Sequence, residues 1–180
     1  PGSQGRPARV EVHDGSGDKV LGFVTPFPAF EGTPSVAMAD VSGDNVLDLI
    51  VGTGPGVAPE VVAYSGTDGG QGPFSSELAR FTPFDPGFRG GVSVAGADVD
   101  GNPSTDNIIV GSGPGTESRV TVFSSALPKV GDTPETFSTF TPYPGSRSGV
   151  TLATGTVDIG TGRPSIVTAP GPGEPAQVKT

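Results

Sequence analysis

Two acidic stretches hold the residue types and spacing from which chemistry could be built. Asp98-Val-Asp-Gly-Asn-Pro-Ser-Thr-Asp106 puts oxygen-bearing side chains at its first, third, fifth and ninth positions: Asp98, Asp100, Asn102 and Asp106. Asp40-Val-Ser-Gly-Asp-Asn-Val-Leu-Asp48 repeats that spacing with Asp40, Ser42, Asp44 and Asp48. A hard cation such as Ca²⁺ takes about 6–8 oxygen ligands at roughly 2.3–2.6 Å, so alternate side chains of one tight loop, a backbone carbonyl and water complete its shell. The carbonyl would come from the seventh position, Val46 in the first stretch and Ser104 in the second. The second stretch runs one residue longer before its Ile-Ile-Val, which makes Asn107 a possible substitute for Asp106. A third copy, Thr156–Pro164, keeps only Asp158 and is expected to bind nothing. The expectation is two Ca²⁺ sites; the competing reading is a pair of solvated acidic turns.

Other chemistry is poorly represented. The one histidine, His13, lies on a strand-like run with no serine or cysteine motif beside it, and is read as a surface or packing residue. There is no cysteine, so no disulfide frame and no thiolate site. No Gly-x-Ser-x-Gly elbow, His-Glu-x-x-His helix or glycine-rich turn leading into a helix occurs. No catalytic residue is assigned, and the chain is expected not to be an enzyme. Asp14-Gly-Ser-Gly-Asp18 resembles a ligand run but sits between two strands, so a hairpin turn is expected there. Phe81, Phe84, Phe88, Phe123, Phe140 and Tyr143 are read as packing residues rather than a sugar-stacking platform.

The elements that must position those stretches are short strands. Thirty glycines and 20 prolines in 180 residues punctuate apolar runs, and no run of ten or more carries a helical stripe, so the class is all-β and a single domain. Nineteen acidic against 10 basic residues give a net charge of −9, which disfavours nucleic acid as a partner and suits cation binding. No apolar run is long enough for a transmembrane segment. The chain starts at Pro1 without a signal peptide, which an exported protein would have lost.

Self-similarity organises these strands. Gly-Pro-Gly recurs at Gly54, Gly113 and Gly171, 59 and then 58 residues apart. Leu49-Ile-Val51, Ile108-Ile-Val110 and Ile166-Val167 precede it, and Glu60–Tyr64, Arg119–Phe123 and Gln177–Thr180 follow it. Arg9–His13 is the same following strand once more. A further strand ends in Thr25-Pro-Phe27, Thr82-Pro-Phe84 and Thr141-Pro-Tyr143. Proline lacks the N–H a central strand needs, so this strand should be outermost in its unit. A fourth type, Ser35–Ala39, Val92–Ala95 and Val150–Ala153, leads into each acidic stretch. Four-stranded units at this period read as β-propeller blades.

A strand with Val-Ala, an acidic loop, Ile-Val-Gly and then Gly-Pro-Gly resembles the FG-GAP repeat of integrin-α-like β-propellers. The resemblance covers nearly the whole chain. It implies a β-propeller-like array of about three four-stranded blades: third and fourth strands at 9–27, blades at 34–84 and 91–143, and a partial blade at 149–180. Three blades do not close a ring of the usual 4–8, so closure would need a longer chain or oligomerisation into a ring or filament by shared blades. The resemblance further implies Ca²⁺ in the loop between first and second strands. It also implies an extracellular or cell-surface, secreted setting, and a role in adhesion, in binding a protein or carbohydrate ligand, or in assembly. Alternatives are a self-assembling structural subunit and an accessory propeller of a secreted polysaccharide- or phosphoester-cleaving enzyme. Ser42 stands where the family prefers Asp, and Pro103 occupies the sixth position of the second loop.

Overall fold

The computed structural model describes residues 6–67, 69–127, 132–157, 160 and 162–174. Twelve strands and no helix lie among them: β1 (Ala8–His13), β2 (Val20–Phe27), β3 (Ser35–Ala39), β4 (Asp48–Gly52), β5 (Val61–Tyr64), β6 (Glu77–Phe81), β7 (Val92–Ala97), β8 (Asn107–Ser112), β9 (Val120–Phe123), β10 (Thr136–Phe140), β11 (Val150–Gly155) and β12 (Ser165–Pro170). They form four antiparallel sheets. Two are complete meanders, ordered β3-β4-β5-β6 and β7-β8-β9-β10. Among the described residues, β1-β2 and β11-β12 are two-stranded sheets. Gln177–Thr180 and Asp158 of the third acidic copy lie outside the described residues.

The sheets stack face to face in chain order, and burial follows from that stacking. Strands β4 and β8 are buried along their whole length, because each is covered on both faces; hence Asp48-Leu-Ile-Val-Gly52 and Asn107-Ile-Ile-Val-Gly-Ser112 lack the polar alternation of a half-exposed strand. Val10, Val24 and Phe27 of the first pair pack on Leu49, Val51 and Val62. On the far face of that sheet, Ile50, Val61, Ala63 and Phe81 meet Val92, Val94, Ile108 and Phe123. Ile109, Val120 and Val122 then meet Val150, with Leu152 and Ile166 packed alongside. The Phe81 and Phe123 rings cross edge to face at 4.8 Å between centroids, an aromatic contact joining the two complete sheets.

Turn chemistry accounts for the connections. Asp14–Asp18 is the hairpin turn between β1 and β2, with Asp14 N donating to Lys19 O and Gly17 at a φ of 79°. In each Gly-Pro-Gly the second glycine has a φ near 100°: 108° at Gly56, 104° at Gly115 and 97° at Gly173. The Thr-Pro-aromatic strands β6 and β10 are outermost in their sheets, with Pro83 and Pro142 just past the last paired residue. His13 is exposed, 3.5 Å from Glu11.

One polar network crosses the outer strands. Arg80 on β6 donates to both oxygens of Glu77, to Glu60 just before β5 and to Pro26 O on β2. The Glu77 side chain, and after it Glu60, push the Arg80 pKa further up against the opposing effect of partial burial. These groups remain about one-third exposed, so water screens them. Arg80→Met is expected to cost about 1 kcal/mol in urea unfolding, and the gap to wild type should narrow in high salt. A larger, salt-independent loss would show that alkyl packing, not charge, dominates at this position.

Candidate functional site

Both acidic stretches join the first strand of a complete sheet to its second, β3 to β4 and β7 to β8. In the first corner Asp40 wraps the turn around itself. Its Oδ1 accepts from Gly43 N (2.7 Å) and Asp44 N (3.2 Å), and its Oδ2 from Asn45 N (2.7 Å). Asn45 sits at a φ of 64°, the left-handed conformation expected of its sixth position. Asp44 accepts from Val46 N and, at 2.6 Å, from the Thr67 hydroxyl. That hydroxyl and the Val46 N–H hold the Asp44 carboxyl below the ordinary carboxylate range.

Asp48, at the ninth position, does something different. It is fully buried, and its carboxylate accepts three backbone N–H groups: Val41 (3.0 Å), Ser42 (2.8 Å) and Gly66 (2.9 Å). Burial pushes its pKa up, against the pull of Gly66 and Ser42. It is the keystone that ties the acidic turn to the turn after β5.

The second corner repeats this design with one exchange. Asp98 accepts from Gly101 N (2.7 Å) and Asp100 from Asn102 N (2.9 Å). The buried keystone is Asn107: its Oδ1 accepts from Val99 N and Asp100 N, and its amide donates to Asp100 Oδ2 and Phe123 O. Asn107 therefore occupies the place that Asp48 holds in the first corner. Burial pushes Asp100 up, but Asn107 and the Asn102 N–H outweigh it and hold the carboxyl below its ordinary range. Asn102 donates to Thr105 and Ser125. Asp106 leaves its own corner: its Oδ2 accepts from Asp40 N (2.9 Å), while its N–H donates to Asp40 O (2.7 Å).

The two corners thus touch. A Cβ on Gly43 would lie 2.8 Å from Ser104 O and 2.9 Å from Thr105 Cγ2, so the Ser104 carbonyl faces the first corner. A Cβ on Gly101 would in turn lie 2.7 Å from an Arg163 guanidinium nitrogen. Val46 is exposed and donates its N–H to Asp44.

Asp40, Ser42 and Asp44 in one corner, and Asp98, Asp100 and Asn102 in the other, are hard oxygen donors on single tight turns, which is the chemistry Ca²⁺ selects. Among the described residues no three His, Asp or Glu side chains gather at one point. An ion here would draw on hydroxyl, amide, carbonyl and water oxygens as well. Thr67 and Ser125, the hydroxyls that reach the fifth positions from the turns after β5 and β9, were not among the sequence candidates. Their 58-residue spacing matches that of the corners and would have found them.

At the opposite ends of the strands the three Gly-Pro-Gly turns line a depression of about 250 Å³ with Pro34, Ser93 and Ser148, and none of its lining side chains titrates. Among the described residues no helix is long and apolar enough to cross a membrane. Fold and corners together define an all-β chain of repeated antiparallel sheets with two matched acidic corners. No family model, no curated protein and no solved structure matches it.

Proposed function

We propose that this chain is a section of a non-enzymatic, calcium-stabilised β-propeller of the FG-GAP type, displayed outside the cell as a binding or adhesion module. The observation that carries this reading is the equivalence and mutual docking of the two corners. Each lies between the first and second strands of its sheet, each wraps an aspartate at its first position, and each has a buried oxygen-bearing keystone. Stacking of successive four-stranded meanders along their faces is the packing a propeller requires. The two half-sheets are the outer and inner halves of further blades.

Calcium would be held by Asp40, Ser42 and Asp44, and by Asp98, Asp100 and Asn102. Its role is linkage: an ion that binds only the folded corner stabilises by RT ln(1 + [Ca]/Kd), about 1.4 kcal/mol per site when Kd lies tenfold below the ambient concentration. The Asp40–Asp106 exchange means that ordering the first corner also steadies the second sheet against the first.

The test is the thermal midpoint with millimolar Ca²⁺ and with EDTA. A rise with calcium is expected, reversed by chelation, and Asp40→Asn combined with Asp98→Asn should abolish that rise. Identical melting curves with and without EDTA contradict the reading.

A further inference from the structure

A second depression, of about 230 Å³, lies where the end of β2 meets the Gly-Pro-Gly turn after β4, and we infer that it is a binding site for a small organic cation: a primary ammonium group carried on a short apolar body. Pro26, Phe27 and Phe30 come from the end of β2 and Val57 and Ala58 from the turn, so most of the lining is apolar. Glu60 and Arg80 are its charged residues. An apolar cavity of about 150 Å³ holds benzene, and drug-sized ligands need about 300 Å³ or more, so this depression takes one ring or one short chain. It sits at the other end of β4 from Asp48 and draws on no residue of the acidic corner.

The sign of the ligand's charge follows from what Arg80 already holds. Its guanidinium donates to both oxygens of Glu77 and to Oε1 of Glu60, so one positive charge faces two negative ones. An anion entering the depression would have to take Arg80 from Glu60, and Glu77 would still repel it. A cation meets the opposite situation. Glu60 Oε2 accepts from no group among the described residues, and the Glu60 side chain is 35% exposed, within reach of a ligand. An ammonium group donating to Oε2 brings the cluster to neutrality, while its apolar body displaces water from Phe27, Phe30 and Val57.

The repeat separates what the fold needs here from what it does not. At the next junction Phe84 and Phe88 stand where Phe27 and Phe30 stand, and both pairs cross edge to face, at 6.3 Å and 6.2 Å between centroids. Ser112 takes the place of Thr53, and each hydroxyl accepts the N–H just ahead of the following strand: Arg119 N at 3.0 Å and Glu60 N at 2.9 Å. The aromatic pair and the hydroxyl are therefore scaffold. The charges are not kept. Arg119 occupies the place of Glu60, and Thr139 that of Arg80, each of the latter two preceding the last phenylalanine of its strand. A carboxylate paired to an arginine is thus particular to the first junction, and the next one stacks without it.

This inference names a ligand for the proposed binding module without resting on its calcium, so the full chain is titrated in EDTA and the two readings fail separately. Benzylamine, benzyl alcohol and benzoate share one ring and differ in charge. Benzylamine is expected to shift the amide resonances of Phe27, Ala29, Val57 and Glu60 saturably, more weakly in high salt, and to bind about tenfold or more tighter than the alcohol or benzoate. Glu60→Gln keeps the shape and removes the charge; with its amide spectrum otherwise that of the wild type, it should weaken benzylamine about tenfold or more, the effect of one charge-assisted hydrogen bond. A capped Gly-Lys-Gly peptide run beside n-butylamine identifies the source of the cation: tighter binding of the peptide assigns the site to a lysine side chain of a partner protein, and tighter binding of the amine to a free ligand. No saturable shift at those amides, benzoate or benzyl alcohol binding as well as benzylamine, or unchanged affinity in Glu60→Gln overturns the inference.

Discussion

Asp48→Ala is expected to destabilise the protein by about 2–4 kcal/mol, because it removes at once the buried carboxylate to which three backbone N–H groups donate. Each orphaned buried donor costs about 1–3 kcal/mol, and hydrogen bonds to a charged acceptor lie at the upper end of the scale. Val41 N keeps its second acceptor, Ala39 O at 3.1 Å, so the loss falls chiefly on the part-buried Ser42 and Gly66 contacts. The second corner supplies the control. Asn107 holds Val99 N and Asp100 N with a neutral amide oxygen, so Asp48→Asn should keep the Val41 and Ser42 contacts and lose only Gly66. Its cost is expected near 1–2 kcal/mol. Urea unfolding of both variants decides the matter: an Asp48→Ala loss under 1 kcal/mol, or equal losses for the two, would remove the keystone role.

Gly113→Ala is expected to cost about 3 kcal/mol, for a steric reason. A methyl group there would overlap the Gly90 carbonyl oxygen and lie 2.6 Å from the Gly90 carbonyl carbon and 2.7 Å from Gly91 O. These are backbone atoms, pinned by the Gly113 N–Gly91 O hydrogen bond, so no rotamer change relieves the contact. Gly54 and Gly171 meet Thr33 O and Ser148 O in the same way, which is why the first glycine of each Gly-Pro-Gly is a stacking residue. Gly115, two residues on, has open space around it and only its φ of 104° against it. Gly115→Ala should therefore cost less, about 1–2 kcal/mol. Reversal of that order in chemical denaturation would contradict the packing of the turns.

Strand content was legible because period-two patterning and turn residues agree along most of the chain. Val92-Ser-Val-Ala declares a half-buried strand, and Gly-Pro-Gly marks where the next one must begin. The first, third and fifth positions of each corner fall on one turn, as their spacing predicts, and their role as ion ligands is the proposal made above. The ninth was ambiguous in the second corner because Asp106 and Asn107 are both oxygen-bearing neighbours. Only the fold separates them, sending Asp106 across to Asp40 and burying Asn107. Phe140 was read as a packing residue on the strength of its type and place, and it is exposed together with the rest of β10. Its burial depends on what lies against the strand, and no residue within the strand encodes that.

Site-resolved amide hydrogen exchange with and without Ca²⁺ tests the central claim, that the two acidic corners are metal sites coupled to the stacking of the sheets. Calcium is expected to slow exchange at Gly43 and Asn45, which donate to Asp40, and at Gly101 and Asn102, which donate to Asp98 and Asp100, while leaving β10 unchanged. Exchange that is the same in calcium and in EDTA at all four amides, or that changes elsewhere and not at the corners, would contradict it.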